Sequence, residues 1–231
     1  FDHPDGSLSQ RAIYKDGLKN GLQELFRPNG GLQERGMMVD DVYNGLYEWF
    51  DHPDGSLDQR AVYKDGLKNG LQEWFRLDGS LEERAMMVND KISGLYEWFR
   101  PDGSLSQKSI YKDGRENGLR EVFDSNGKIY QRIMFKNDVQ NGLSEHFENG
   151  KIVQKSIFKN GVSNGITIIY RQDGTISDKA EMLDGRYHGT YEWYDLDGKL
   201  TEKATMADGR FHGIYEWYSH SDGSLSQRAI Y

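Results

Sequence analysis

The sequence predicts an all-β fold, an elongated single-layer antiparallel sheet of tandem β-hairpin repeats, about nine repeats of 24 residues over residues 1–231. Three observations predict it. One glycine recurs at Gly21, Gly45, Gly70, Gly94, Gly118, Gly142, Gly165, Gly189 and Gly213, with spacings of 23 to 25 residues. Five residues after each stands an aromatic, from Phe26 to Tyr218. A second series, mostly Asp-Gly or Asn-Gly, interleaves with the first at Gly6, Gly30, Gly55, Gly79, Gly103, Gly127, Gly150, Gly174, Gly198 and Gly223. Such regular self-similarity is the signature of a repeat architecture.

Each repeat holds two short strands and two turns. Asp-Gly and Asn-Gly between alternating apolar runs signal hairpins, because both central residues of a type I′ turn need positive φ. Tyr-Lys-Asp-Gly and its relatives mark a third turn series, as at Tyr14 to Gly17, Tyr63 to Gly66, Tyr111 to Gly114 and Phe158 to Gly161. A two-residue loop at Asp78-Gly79 would pair Leu77 with Ser80, Phe75 with Glu82 and Glu73 with Arg84. Alternation then puts Leu71, Glu73, Phe75, Arg84, Met86 and Val88 on one face, with Gln72, Trp74, Leu81, Ala85 and Met87 on the other. Both faces are mixed, as in a single layer.

The same count sets Glu24 against Arg35, Glu97 against Lys108, Glu121 against Arg132 and Glu192 against Lys203. Eight of nine repeats carry the Glu, Ile168 being the exception, and all carry the base. Opposite charges across an antiparallel pair contribute roughly 0.2–1 kcal/mol each, and a one-residue slip would break every pair. The ladder therefore reads first as a register device. Three hairpins depart in length, after Phe50, after Tyr218 and at Glu148-Asn149-Gly150, where a bulge or altered turn is expected.

Phe1 to Phe50 resembles Phe50 to Phe99, and Tyr218 to Tyr231 nearly restates Phe1 to Tyr14. Neither end carries the polar cap usual for stacked repeats. The array thus reads as a fragment of a longer one, or as one whose open edges are covered by partners. The chain has no initiating Met and reads as a mature or excised segment.

Composition narrows the function. The net charge of −8 opposes nucleic acid and anionic lipid. No stretch reaches 18 consecutive apolar residues, so no transmembrane segment is expected. Cysteine is absent, which removes disulfides and thiolate metal sites and leaves the compartment, cytoplasmic or exported, open.

No catalytic set stands out. His188 and His212 precede repeat glycines where other repeats carry Asn20, Asn69, Asn117, Asn141 and Asn164, which marks a turn role over metal ligation. Asp195-x-Asp197-Gly198 resembles the start of a calcium loop, but Met206 stands where the closing Glu belongs. No metal, cofactor or catalytic residue is expected. The binding candidates are aromatic: Tyr47/Trp49, Tyr96/Trp98, Tyr191/Trp193 and Tyr215/Trp217 lie two apart in their strands and share a face, joined by Trp74. Tyr and Trp combine large area with a polar handle. These rings either face a partner or cover one another.

Units such as KDGLKNGLQEWFRLDGSLEER (64–84) resemble the MORN-type repeat, in the variant found in bacterial YwqK-family antitoxin-like proteins. Here Trp stands four residues after the glycine instead of two. The resemblance implies a single-layer sheet of successive hairpins and a role in protein interaction or assembly, with no catalytic residues. The partner would be another protein, or a second copy through open sheet edges. The alternative is a surface carbohydrate-binding or adhesin module using the aromatic stripe.

Overall fold

The computed structural model describes residues 2–231; Phe1, which opens the first repeated copy, lies outside them. Among the described residues regular structure is all strand. The chain divides into two compact units, the first ending at Arg115 and the second starting at Glu116. The first holds β1 (Gln10–Lys15), β2 (Leu18–Phe26), β3 (Leu32–Val39), β4 (Val42–Trp49), β5 (Gln59–Lys64), β6 (Leu67–Phe75), β7 (Leu81–Val88), β8 (Lys91–Phe99) and β9 (Leu105–Lys112). The second is built from β10 (Arg115–Phe123), β11 (Ile129–Lys136), β12 (Val139–Glu148), β13 (Lys151–Lys159), β14 (Val162–Tyr170), β15 (Ile176–Leu183), β16 (Arg186–Tyr194), β17 (Leu200–Ala207), β18 (Arg210–Tyr218) and β19 (Leu225–Ile230). Within each unit the described strands form an open antiparallel sheet, each paired with its neighbours in sequence.

Two kinds of hairpin alternate, and the type I′ turns are not where the Asp-Gly series suggests. They occupy the third turn series, where both central residues have positive φ: Asp16 at 51° with Gly17 at 82°, and Asp65 at 51° with Gly66 at 80°. Asp40 and Asp41, at 49° and 65°, make the same turn without glycine. Asn149-Gly150, the shortened hairpin, also forms one, at 51° and 78°.

The Asp78-Gly79 hairpin is wider. The Gly79 N–H donates to the Arg76 carbonyl at 2.8 Å, and the Arg76 N–H to the Ser80 carbonyl at 2.9 Å. Only Gly79 is left-handed there, and the Asp78 carboxylate accepts from the Ser80 N–H at 2.9 Å and hydroxyl at 2.6 Å. Leu77 and Ser80 are therefore loop residues, not a pair. The wider loop shifts register between Trp74 and Phe75, so Leu81, not Glu82, faces Phe75, while Glu73 does face Arg84. Such shifts recur in most ladders and are not confined to the three hairpins of unusual length. The pairing of β4 with β5, whose connection holds the longer hairpin after Phe50, runs without one.

The nine-fold glycine marks a second irregularity. Ala61 faces Gln72 and Tyr63 faces Lys68, so Asn69, Gly70 and Leu71 crowd against Val62 alone. Gly70 adopts φ of 132°, and a Cβ there would sit 3.1 Å from the Cβ of Val62. Only glycine meets both demands. Gly70→Ala is expected to destabilise the protein by about 1–3 kcal/mol, read as a lower urea midpoint. An unchanged midpoint would mean that the glycine series has another cause.

Candidate interaction surfaces

One face of the sheet carries the ion ladder. Arg11 donates to Glu24 at 2.5 Å and Arg35 to Glu48 at 2.5 Å; Arg60 and Arg84 pair likewise with Glu73 and Glu97. The hydrogen bonds thus run to the Glu across the tight-turn hairpin. Glu24 and Arg35 also face each other in register, so Arg35, Arg60 and Arg84 each have an acid on both flanks. In the second unit, Arg132 bonds Glu121 at 3.1 Å, Lys155 bonds Glu145 at 3.3 Å, and Lys179 and Lys203 flank Glu192 at 3.4 and 3.7 Å. Glu24, Glu48, Glu73 and Glu97 are buried because their bases lie over them, and Glu121, Glu145 and Glu192 are half-buried. Each guanidinium also covers a repeat phenylalanine: Arg35 over Phe50, Arg60 over Phe75 and Arg84 over Phe99, 5.3 to 5.6 Å from the ring centres. Such contacts contribute about 0.5–1 kcal/mol each.

The other face carries the Tyr/Trp set. Directly opposite each Tyr stands a small residue: Gly36 and Ala61 flank Tyr47, Ala85 and Ser109 flank Tyr96, Ala180 and Ala204 flank Tyr191, and Ala204 and Ala229 flank Tyr215. The rings fill the space the small residues leave. A Cβ on Gly36 would lie 2.1 Å from the Tyr47 ring. Three Trp then pack on their own Tyr, Tyr47 with Trp49 at 4.6 Å, Tyr191 with Trp193 at 4.0 Å and Tyr215 with Trp217 at 4.2 Å between centroids. In the second unit Trp193 also stacks on Tyr215 at 6.0 Å. In the first, Trp74 stands opposite Gln59 and Glu83. Tyr47 and Tyr215 are buried, the remaining seven are half-buried or exposed, and Trp98 is the most open at 39%.

Each Tyr hydroxyl meets an acid thirteen residues earlier. Tyr191 donates to Asp178 at 3.2 Å, and Tyr215 donates to Glu202. Tyr47 and Tyr96 use Glu34 and Glu83 in the same way. Burial first, and then these acids, with Tyr43 ahead of Glu34 at Tyr47, push all four phenols above their ordinary range, so the proton stays on oxygen and the phenol remains a donor. Tyr194 is pushed up to about 12 by burial and by its bond to Glu192. Where the ring is absent the acid is absent too. Gln10, Gln59, Gln131 and Gln154 stand thirteen residues before Gln23, Gln72, Ser144 and Thr167.

Successive repeats are clasped by a residue in the wide turn. Arg27 donates to its own Leu32 carbonyl at 2.9 Å and to the Phe50 carbonyl of the next repeat. Arg76 and Arg171 reach Phe99 and Tyr194 similarly. His3 and His52 do this with one ring nitrogen, donating to the Phe26 and Phe75 carbonyls at 2.9 Å each. Sequence reasoning passed over this clasp; its signal is the Arg or His placed one or two residues beyond the repeat aromatic.

His188 extends a different chain. Asn20 donates to Asp40 at 2.8 Å and Asn69 to Asn89 at 3.2 Å, each reaching the next tight turn, and His188 stands 4.0 Å from Asp208 at the same step. The Asp195 carboxylate accepts from the Asp197 and Lys199 N–H groups at 3.0 and 2.8 Å, which makes it a turn cap. Among the described residues no three His, Cys, Asp or Glu side chains gather to hold a metal ion. No helix in them is long and apolar enough to cross a membrane.

These units define a tandem-repeat protein of β-hairpins. Three segments, residues 92–113, 116–137 and 187–208, match the family described as MORN repeat variant, and the chain is a MORN-type repeat protein. MORN repeats commonly act as protein- or membrane-interaction modules and are generally non-catalytic. No curated protein matches the chain.

The wide-turn acids give a pH dependence. Hydrogen bonds from the Ser80, Ser104 and Thr175 hydroxyls and N–H groups hold Asp78, Asp102 and Asp173 below the ordinary carboxylate range. A lowered folded-state value stabilises above the unfolded value and is lost as pH falls through the folded one. The melting temperature is therefore expected to hold between about pH 7 and pH 5 and to fall below about pH 4. The triple variant Asp78→Asn, Asp102→Asn, Asp173→Asn should give a flatter profile by circular dichroism. Superimposable profiles would place the acid sensitivity elsewhere.

Proposed function

We propose that the chain is a non-catalytic protein-binding scaffold whose main contact is an aliphatic stripe beside the ion ladder. The observation that carries this reading is the exposure of that stripe. Leu22 faces Met37, Leu71 faces Met86, Leu95 faces Ile110, and Leu46 lies between the first two pairs beside Val62. Leu22, Met37, Leu46, Leu71 and Met86 are each 37–45% exposed. In the second unit Leu119 with Met134 and Leu143 with Ile157 continue the pattern. Scattered apolar side chains are ordinary on a surface, whereas a contiguous run of them marks an interaction site.

The stripe has relief as well as apolarity. Leu22, Met37 and Leu46 border a notch of about 220 Å³ whose walls are Arg35 and Glu48. Leu71, Met86 and Leu95 border another of about 190 Å³ between Arg84 and Glu97. Apolar notches flanked by paired charges suit side-chain anchors ringed by polar contacts, the anatomy of a protein interface. The net charge of −8 favours a protein over an anionic lipid surface. Neutralisation of a toxin would be one instance of such binding, and self-association through sheet edges another.

A second contact surface is favoured by the openness of Trp98, and would draw on Trp49, Trp74, Trp193 and Trp217 around their buried tyrosines. The two surfaces separate by mutation. Leu46→Glu with Leu71→Glu, both exposed, should leave stability within about 0.5 kcal/mol and abolish capture of protein partners in affinity purification from the native host. Trp98→Ala should leave that capture intact. Undiminished capture by the double Glu variant would overturn the stripe as the contact.

A further inference from the structure

The rings are missing from β2, β10, β12 and β14, and on β12 their absence leaves a polar cleft. On the aromatic strands three positions of one face carry rings: Tyr43, Tyr47 and Trp49 on β4, Tyr187, Tyr191 and Trp193 on β16, and Phe211, Tyr215 and Trp217 on β18. Register assigns Gln140, Ser144 and His146 to the same three positions on β12. Tyr47 faces Gly36 as Ser144 faces Ile133, and Trp49 faces Glu34 as His146 faces Gln131. All three rings are thus replaced by uncharged hydrogen-bonding groups or imidazole in a single strand.

With the rings gone, a cleft of about 300 Å³ opens over β11, β12 and β13, wholly within the second unit. Its lining comprises the amides of Gln131, Gln140 and Gln154, the hydroxyls of Ser144 and Ser156, the His146 imidazole and the Phe158 ring. Ser144 and Ser156 are buried. Gln154 donates to the Ser156 hydroxyl at 3.0 Å, and Thr167 donates to it at 3.1 Å. Ser156 is therefore held as an acceptor twice over, leaving its own proton to give. Tyr130 braces the imidazole edge-on, with centroids 4.6 Å apart. No carboxylate, ammonium or guanidinium lines the cleft; Glu145 and Lys155 pair with each other on the ladder face.

We propose that this cleft binds a single neutral sugar ring, a hexose or N-acetylhexosamine unit. Sugar hydroxyls donate and accept at once, and a side-chain amide is an uncharged group that offers both roles. Three amides and two hydroxyls in so small a space match a ring bearing several hydroxyls. The flat rings of Phe158 and His146 give its C–H face an apolar wall. The volume lies at the lower end of small-molecule sites and is too small for a protein segment. No carboxylate, ammonium or guanidinium is present in the lining to pair with a charged ligand, which disfavours one. The site is separate from the aliphatic stripe and does not depend on it.

The test uses the full chain labelled with ¹⁵N, following the side-chain amide signals of Gln131, Gln140 and Gln154 during titration. The probes are glucose, galactose, mannose and N-acetylglucosamine, with glucuronate as the charged control. At least one neutral sugar should give saturating shifts in the millimolar range, and glucuronate none. Ser144→Tyr with Gln131→Glu restores the acid–phenol pair of the other repeats, fills the cleft and should abolish the shifts. Gln154→Leu, which keeps the side-chain size and removes its hydrogen bonding, should weaken binding at least tenfold while retaining the parent melting temperature. Absence of saturating shifts with all four neutral sugars, or shifts that persist in the filled variant, would overturn the proposal.

Discussion

In a sheet one layer thick no second layer exists to bury either face, so each side chain can be covered only by its cross-strand neighbours. The repeat answers this on one face by alternating large and small residues across the strands. Ala61, Ala85 and Ala204 are 1–2% exposed, because the Tyr or Gln on an adjacent strand lies against them. The Tyr47 ring occupies the space a side chain at residue 36 would need, which is why glycine stands there. Coverage of this kind is local. A change at one ring exposes its neighbours without unpacking a distant core, so repeats can drift in sequence while the sheet persists.

Polar groups follow the same logic. A carboxylate shielded from water needs donors, and the ladder supplies them by placing a base on each flank of the Glu. On the ring face the donor is a phenol, and the acid appears only where the phenol does. Glu34, Glu83, Asp178 and Glu202 precede Tyr47, Tyr96, Tyr191 and Tyr215, while Gln replaces the acid before Gln23, Gln72, Ser144 and Thr167. An amide can pair with an amide, as Gln72 does with Gln59 at 3.3 Å, because each offers both a donor and an acceptor and neither carries a charge. The correlation between positions thirteen apart is thus a hydrogen-bond rule written into the repeat. The Arg and His clasps act along the other direction, tying each wide turn to a carbonyl of the next repeat.

The repeat count, the all-strand class and the Glu–Arg register were legible because each depends on spacing alone. Glu73 against Arg84 survives the bulge, since the shift falls beyond it, between Trp74 and Phe75. Turn type was not legible from Asp-Gly. The same dipeptide forms a type I′ turn at Asp65-Gly66 and a wide turn at Asp78-Gly79, and the difference lies in its neighbours. Asp78 is followed by Gly-Ser, whose hydroxyl and N–H its carboxylate holds, and is preceded by an Arg that bridges the loop. The strict recurrence of Gly70 and its equivalents was visible, but its cause was not, because a bulge against Val62 appears only in three dimensions. The aromatic candidates were found at sequence level, though their division into buried Tyr and more open Trp depends on the small residues opposite.

Repetition also separates what the fold demands from what it leaves free. The glycine at the bulge, the acid beneath its base and the small residue opposite a ring are all dictated by neighbours, so their recurrence carries no functional message. Leu22, Leu46 and Leu71 are different, since their cross-strand neighbours leave more than a third of each exposed and the layer would form equally well with polar side chains there. Thr190 facing Thr205 shows this directly, for the same positions in the second unit carry hydroxyls and the ladder beside them is intact. The strand β12 is free in the opposite sense, giving up three covering rings for Gln140, Ser144 and His146 and leaving a polar cleft in their place. Both departures spend coverage that the architecture could have kept, and the functional reading of the protein rests on these two places.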